Sequence, residues 1–140
     1  MAHLRLVANV AISAILIANF ACKESTSSND SVTMDRALIG KWIEYDDTFT
    51  VSFGDGVIIR SDGKMYDLEW DGSEWIVDYH DLEGTFSYAD KGTFRMTYTE
   101  EGTNVRIAGT YQIIENDFLI ITVIEDGSES HIYYIRESAL

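Results

Sequence analysis

From Leu38 to the end of the chain, apolar and polar residues alternate with a period of two. Thr48-Phe49-Thr50-Val51-Ser52-Phe53 alternates without a break, and so does Thr93-Phe94-Arg95-Met96-Thr97-Tyr98-Thr99. Between Thr103 and Ile114, the residues Val105, Ile107, Gly109, Tyr111 and Ile113 share one parity. Successive side chains of a strand point to opposite faces. Each of these runs therefore predicts a strand with one side on a core and the other in water. Phe118 to Ile124 is apolar on both parities, as a strand buried on both faces would be, and His131 to Arg136 predicts a last strand.

Turn signals separate the runs at short intervals: Asp46-Asp47, Gly54-Asp55-Gly56, Asp62-Gly63, Asp71-Gly72, Asp90-Lys91-Gly92, Glu101-Gly102, Asn116-Asp117 and Asp126-Gly127. Asp-Gly suits two-residue hairpins because both central positions take positive φ. Ten glycines with no proline also fit tight-turned antiparallel sheet. No helical period of useful length appears. Gly84-Thr85-Phe86 and Gly109-Thr110-Tyr111 stand in matching register within a weak internal repeat, which reads as one supersecondary unit used twice. The expected fold is all-β: a small antiparallel up-and-down meander barrel of about 8–10 strands.

The leading residues follow a different rule. His3 and Arg5 precede an apolar run from Leu6 to Phe20, broken only by Asn9, Ser13 and Asn19. At about fifteen residues this run falls short of the roughly twenty that span a bilayer, but it fits the apolar core of a signal peptide. Ala21-Cys22 and the polar stretch Lys23 to Ser31 follow. The arrangement resembles a bacterial lipoprotein signal, in which the cysteine after a small residue is acylated and becomes the new N-terminus. The resemblance implies a signal peptide over 1–21, and an acylated Cys22 with a flexible tether over 22–36. A barrel over 37–140 completes the chain. Two or more acyl chains, at about 0.8 kcal/mol per buried methylene, anchor a protein stably. The expected location is the bacterial cell envelope, in the outer membrane on its periplasmic side or at the cell surface, with the lipid on Cys22 as the membrane contact.

Leu38-Ile39-Gly40-Lys41-Trp42 opens the barrel. Gly109-Thr110-Tyr111, Leu119-Ile120-Ile121-Thr122, Asp126-Gly127 and Tyr134-Ile135-Arg136 set its closing cadence. In these residues the chain resembles bacterial lipocalin-like domains. There a Gly-x-Trp opens the first strand, the indole closes the barrel floor, and an arginine from the chain's end lies over it. The resemblance assigns those places to Trp42 and Arg136. It also implies a binding protein rather than an enzyme.

The formal charge is −14, and loss of Arg5 with the signal leaves nine basic and twenty-four acidic residues, or −15. Such a surface repels nucleic acid and anionic headgroups and favours a basic protein partner. Candidate chemistry is sparse. Cys22 is the only cysteine, so no internal disulfide forms, and His80 and His131 lack a second ligand at zinc spacing. The acidic turns lack the spaced ligand series of a calcium loop, and no nucleophile elbow, phosphate loop or dinucleotide fingerprint is present. No catalytic residue, metal or cofactor is expected. Two binding modes stay open. In the first, a hollow barrel carries a small apolar ligand on Phe49, Phe53, Trp70, Trp75, Tyr98 and Tyr111. In the second, a filled, monomeric barrel is a protein-interaction module, such as an envelope assembly factor or an inhibitor. Replacing the anchor residue tests the leading segment: Cys22→Ser should abolish partitioning into the detergent-rich phase, and unchanged partitioning would remove the lipid from this account.

Overall fold

The computed structural model describes residues 32–46 and 51–140, with side chains from residue 55 in the second stretch. The expected signal peptide, Cys22, the tether up to residue 31 and Phe49 lie outside the described residues. The alternating runs become strands β1 (Thr33–Met34), β2 (Gly40–Tyr45), β3 (Val51–Ile59), β4 (Lys64–Trp70) and β5 (Trp75–Asp90). They continue as β6 (Thr93–Glu100), β7 (Thr103–Ile114), β8 (Phe118–Glu125) and β9 (Ser128–Arg136). Short 3-10 turns, Arg36–Leu38 and Glu137–Ala139, flank the set.

From β2 to β9 every strand pairs antiparallel with its sequence neighbour, and β2 pairs with β9. The result is a closed eight-strand up-and-down barrel, with β1 added in parallel on β5. Four hairpins place two consecutive residues at positive φ: Lys91-Gly92 (51°, 80°), Glu101-Gly102 (48°, 79°), Glu115-Asn116 (55°, 64°) and Asp126-Gly127 (51°, 79°). These angles match the twist of the flanking strands. Gly54-Asp55-Gly56, expected as a turn, lies inside β3 instead. Gly56 stands between Ile43 and Leu68 on the neighbouring strands, and a Cβ there would come within 2.9 Å of the Trp42 carbonyl oxygen. Its glycine answers to close approach, not chain reversal. β8 also departs from expectation, because Leu119, Ile121 and Val123 are buried while Ile124 is 60% exposed. On β8 the lumen face is the dry one.

The core fills the lumen with residues of one parity, among them Trp42, Ile59, Phe86, Phe94, Leu119 and Tyr134. On the opposite face, one cross-strand row runs Ile135–Ile43–Gly56–Leu68–Val77. Trp75 packs on Ile43 and Leu68 of that row to form a second, smaller cluster.

The floor is built from both ends of the domain. Trp42 Nε1 donates to the Leu38 carbonyl at 2.8 Å. Arg136 lies with its guanidinium carbon 4.1 Å from the Trp42 ring centroid. It donates to the carbonyls of Asn116 (2.8 Å), Ala37 (2.8 Å) and Ile39 (3.3 Å). Gly40 (φ +141°) makes room, since a Cβ there would sit 2.8 Å from Arg136 Nη1. The segment just upstream is also tied in. The Asp35 amide donates to the Ala89 carbonyl at 2.7 Å, and its carboxylate accepts from the Ala37 amide (2.9 Å) and from the Tyr111 hydroxyl (2.8 Å). The packed domain therefore takes in residues 32–36, which sequence composition had assigned to the tether. Trp42→Ala should cost about 3–5 kcal/mol of stability. Arg136→Ala should cost less, and the pair should fall short of additivity because they share one contact. Denaturant titration of the two single variants and the double variant measures this, and additive losses would contradict the shared contact.

Candidate functional site

The strands carry the floor's parity upward to the other end of the barrel, here called the mouth. It is bounded by the turns Asp71–Glu74, Glu101-Gly102 and Asp126-Gly127. Below the mouth, the described side chains of the lumen pack closely. The space left among Met65, Phe94, Met96, Ile107, Ile121 and Tyr134 measures about 30 Å³, and only apolar surface lines it. That is on the order of one water molecule, against roughly 300 Å³ for the smaller ligand pockets.

The aromatics expected to line a ligand cavity are dispersed. Tyr98 is half-buried and borders the small cavity. Tyr111 is buried lower in the core, and burial and its hydrogen bond to Asp35 push its hydroxyl up to about 12. Trp70 and Trp75 do not face the lumen. They share the parity of Leu68 and lie on the outer wall, ring centroids 5.5 Å apart. Phe53 belongs to β3, but its side chain is among those not described, and Phe49 lies outside the described residues. The choice of these residues followed aromatic character, whereas parity decides which side of a strand faces in.

Parity brings carboxylates in instead. Glu44 is two residues beyond Trp42 and pairs directly with Tyr134. Asp55 is two residues before Val57, and Asp67 pairs with Val57. Glu69 follows Asp67 on the same face, and Glu83 of the neighbouring β5 feels the charge of Asp67 and adds to the field on Tyr134. Asp67 is only 5% exposed. Burial raises its carboxyl, a hydrogen bond from the Leu68 amide opposes the rise, and the charges of Glu69, Asp81 and Asp55 reinforce it, to about 6. Burial and the charges of Asp81 and Asp67 bring Glu83 to about 7. Burial and Asp55 raise Glu44, while burial and the charges of Glu44, Glu83 and Asp55 hold the Tyr134 phenol far above its ordinary value. Tyr98 is raised by burial and by Glu100 and Glu125, so the far side of the rim is acidic too.

Basic residues sit at the other end. Arg36, Lys41, Arg60, Lys64, Lys91, Arg95 and Arg136 all belong to strand ends or turns of the floor half. Among the described residues Arg106 lies towards the mouth, exposed on the outside of β7 opposite Thr97, while Lys41 Nζ reaches the Trp75 carbonyl and Arg60 lies 5.9 Å from the Tyr79 ring centroid. Most of the chain's negative charge is thus concentrated at one end. No three described acidic, histidine or cysteine side chains converge as metal ligands do. The arrangement is a broad negative field, suited to a cationic surface. A shallow groove of about 490 Å³ on the outer wall, beside Tyr88, Arg95 and Ala108, is open to solvent and brings no set of charged groups together. His131 Nδ1 lies 3.0 Å from Thr122 Oγ1, and His80 is exposed. Those two histidines do not meet the acids of the lumen in any hydrogen bond among the described residues. No family model matches the chain, and no curated protein matches its sequence.

The buried carboxyls set a pH dependence. Their folded pKa values lie above the starting values of 3.8 for Asp67 and 4.5 for Glu83. Folding therefore takes up protons, and stability is lost as pH rises through the window from those values to about 6 and about 7. Thermal melts should show the midpoint rising on acidification from pH ~8 to ~5, and Asp67→Asn should raise the midpoint at pH ~8 and flatten the curve. A midpoint that falls over that interval would contradict this assignment.

Proposed function

We propose that this chain is an exported, lipid-anchored, lipocalin-like protein of the bacterial cell envelope. Its barrel is a non-catalytic module that binds a basic protein surface at the acidic mouth. The observation that carries this is the packing of the lumen among the described residues: the cavity of about 30 Å³ beside Met65, Phe94 and Tyr134 has no room for a carried apolar ligand, which favours binding at the exterior. The charge distribution supplies the chemistry of the partner, because Asp67, Glu69, Glu83, Glu100 and Glu125 surround the mouth while the described basic residues gather at the floor.

The site of the anchor fits the same arrangement. Residues 33–35 join the barrel at its floor, β1 pairing beside Tyr88 and Ala89 close to the Lys91-Gly92 turn. A lipid on Cys22 would tether the domain by that end and leave the mouth directed away from the membrane. A field of this kind accelerates encounter with a cationic partner and weakens with salt.

Poly-L-lysine and a long-chain fatty acid separate the two binding modes. The folded domain should bind poly-L-lysine in a salt-sensitive manner and take up no stoichiometric fatty acid. Glu100→Gln with Glu125→Gln at the mouth should weaken that association more than Glu115→Gln with Asp117→Asn at the floor. Saturable one-to-one uptake of the fatty acid, with equal effects from the two pairs, would instead favour the carrier.

A further inference from the structure

β5 is supported unevenly along its length. It pairs with β6 only from Thr85 to Asp90, opposite Thr97 to Thr93. Above that point Tyr98, Thr99 and Glu100 of β6 pair with β7 alone. On the β4 side the pairing steps from Asp78, opposite Asp67, to Leu82, opposite Tyr66. Tyr79, His80 and Asp81 therefore bulge out with no strand partner on either side among the described residues. The barrel wall is closed near the floor and carries an open seam towards the mouth. Two backbone groups of this stretch already have side-chain partners: the Trp75 carbonyl accepts from Lys41 Nζ at 3.2 Å, and the His80 amide donates to Asp78 Oδ1 at 2.8 Å. The available edge is Ile76 to Gly84.

Two properties make this edge unusual. Three large side chains along it stand in water, Ile76 (48%), Tyr79 (58%) and Leu82 (47%). Edge strands are ordinarily protected by lysine, proline or a covering segment. Ile76 to Gly84 contains neither lysine nor proline, and its bulge interrupts the edge without burying these side chains. Its charged residues are Asp78, Asp81 and Glu83, with Glu100 on the opposite lip, and the cation in contact with it is Arg60, 5.9 Å from the Tyr79 ring centroid.

We propose that this seam is a strand-addition site for a partner protein. It accepts an extended segment whose side chains alternate between basic and apolar. The inference rests on the reading of the domain as a protein-binding module, and it specifies the partner's chemistry and mode of attachment. Main-chain hydrogen bonds to a free edge supply affinity, and alternate side chains supply selectivity. On the outer face, apolar residues of the added segment would cover Tyr79 and Leu82 beside Tyr66, and on the lumen face its basic residues would meet Glu83 and Glu100. A second copy of this chain is a poor occupant, since its own edge would bring the same carboxylates against these.

The full domain can be tested with a peptide of about twelve alternating lysine and valine residues. Two controls accompany it: a glutamate-for-lysine analogue, and a version N-methylated along the edge that would face β5. The lysine peptide should bind and slow amide exchange within Ile76–Gly84. The glutamate and N-methylated peptides should bind at least about tenfold more weakly. Leu82→Lys and Ile76→Lys, both at exposed positions, should each weaken the lysine peptide by about tenfold without moving the thermal midpoint. Equal binding of the N-methylated peptide, or binding without protection of Ile76–Gly84, would overturn the seam while leaving charge-driven binding at the mouth intact. Absence of peptide binding in a domain that still associates with poly-L-lysine would do the same.

Discussion

The barrel depends on the closure of its last strand onto its first, and Arg136 secures that closure. β2 and β9 come from opposite ends of the domain, so their pairing carries a large loop-closure cost that local hairpins do not. The Arg136 guanidinium offsets part of it by joining three separate pieces of chain. It covers the Trp42 ring and donates to carbonyls of the leading segment and of the β7–β8 turn. A cation over a desolvated indole contributes about 2 kcal/mol, and the indole's own burial adds a large apolar area. Without this contact the strands would have two free edges at β2 and β9 and an exposed core row.

Closure also brings the inward side chains of all eight strands together. Eight strands enclose a space just wide enough for side chains. Phe86 and Phe94 meet edge-on at 5.8 Å, and with Tyr134, Met65 and Met96 they occupy most of it. A ligand cavity would require smaller residues at these positions. The side chains that do point inward above this plug are carboxyls, and their burial lowers stability near neutral pH. Groups held at such a cost concentrate at functional sites.

The same strands are closed at one end and open at the other. β5 is sixteen residues long, and its floor half is sealed by β6, while its mouth half has a bulge and a free edge. The floor gathers residues 33–38, the end of β9 and most of the described cations. The mouth gathers acids and the exposed side chains of β5. This polarity makes the two ends of the barrel chemically different.

Much of the architecture is written in the sequence. Period-two alternation in Thr93–Thr99 and Thr103–Ile114, and glycine-bearing turns such as Asp126-Gly127, determine strands and hairpins because both depend on neighbours along the chain. The Trp42–Arg136 contact was accessible only through family resemblance, since ninety-four positions separate them. Parity from Trp42 could also have placed Glu44 inside, but aromatic character drew attention to Trp70 and Trp75, which belong to the outer wall. Other features were decided by tertiary structure alone. Gly56 has the composition of a turn and the role of a close contact, because only the assembled sheet brings Ile43 and Leu68 together over it. The acidity of the mouth exists because strands distant in sequence converge there, and burial, which raises Asp67 and Glu83, is a property of neighbours in space. Local chemistry determined the strands; long-range packing determined which side chains meet and which edge stays free.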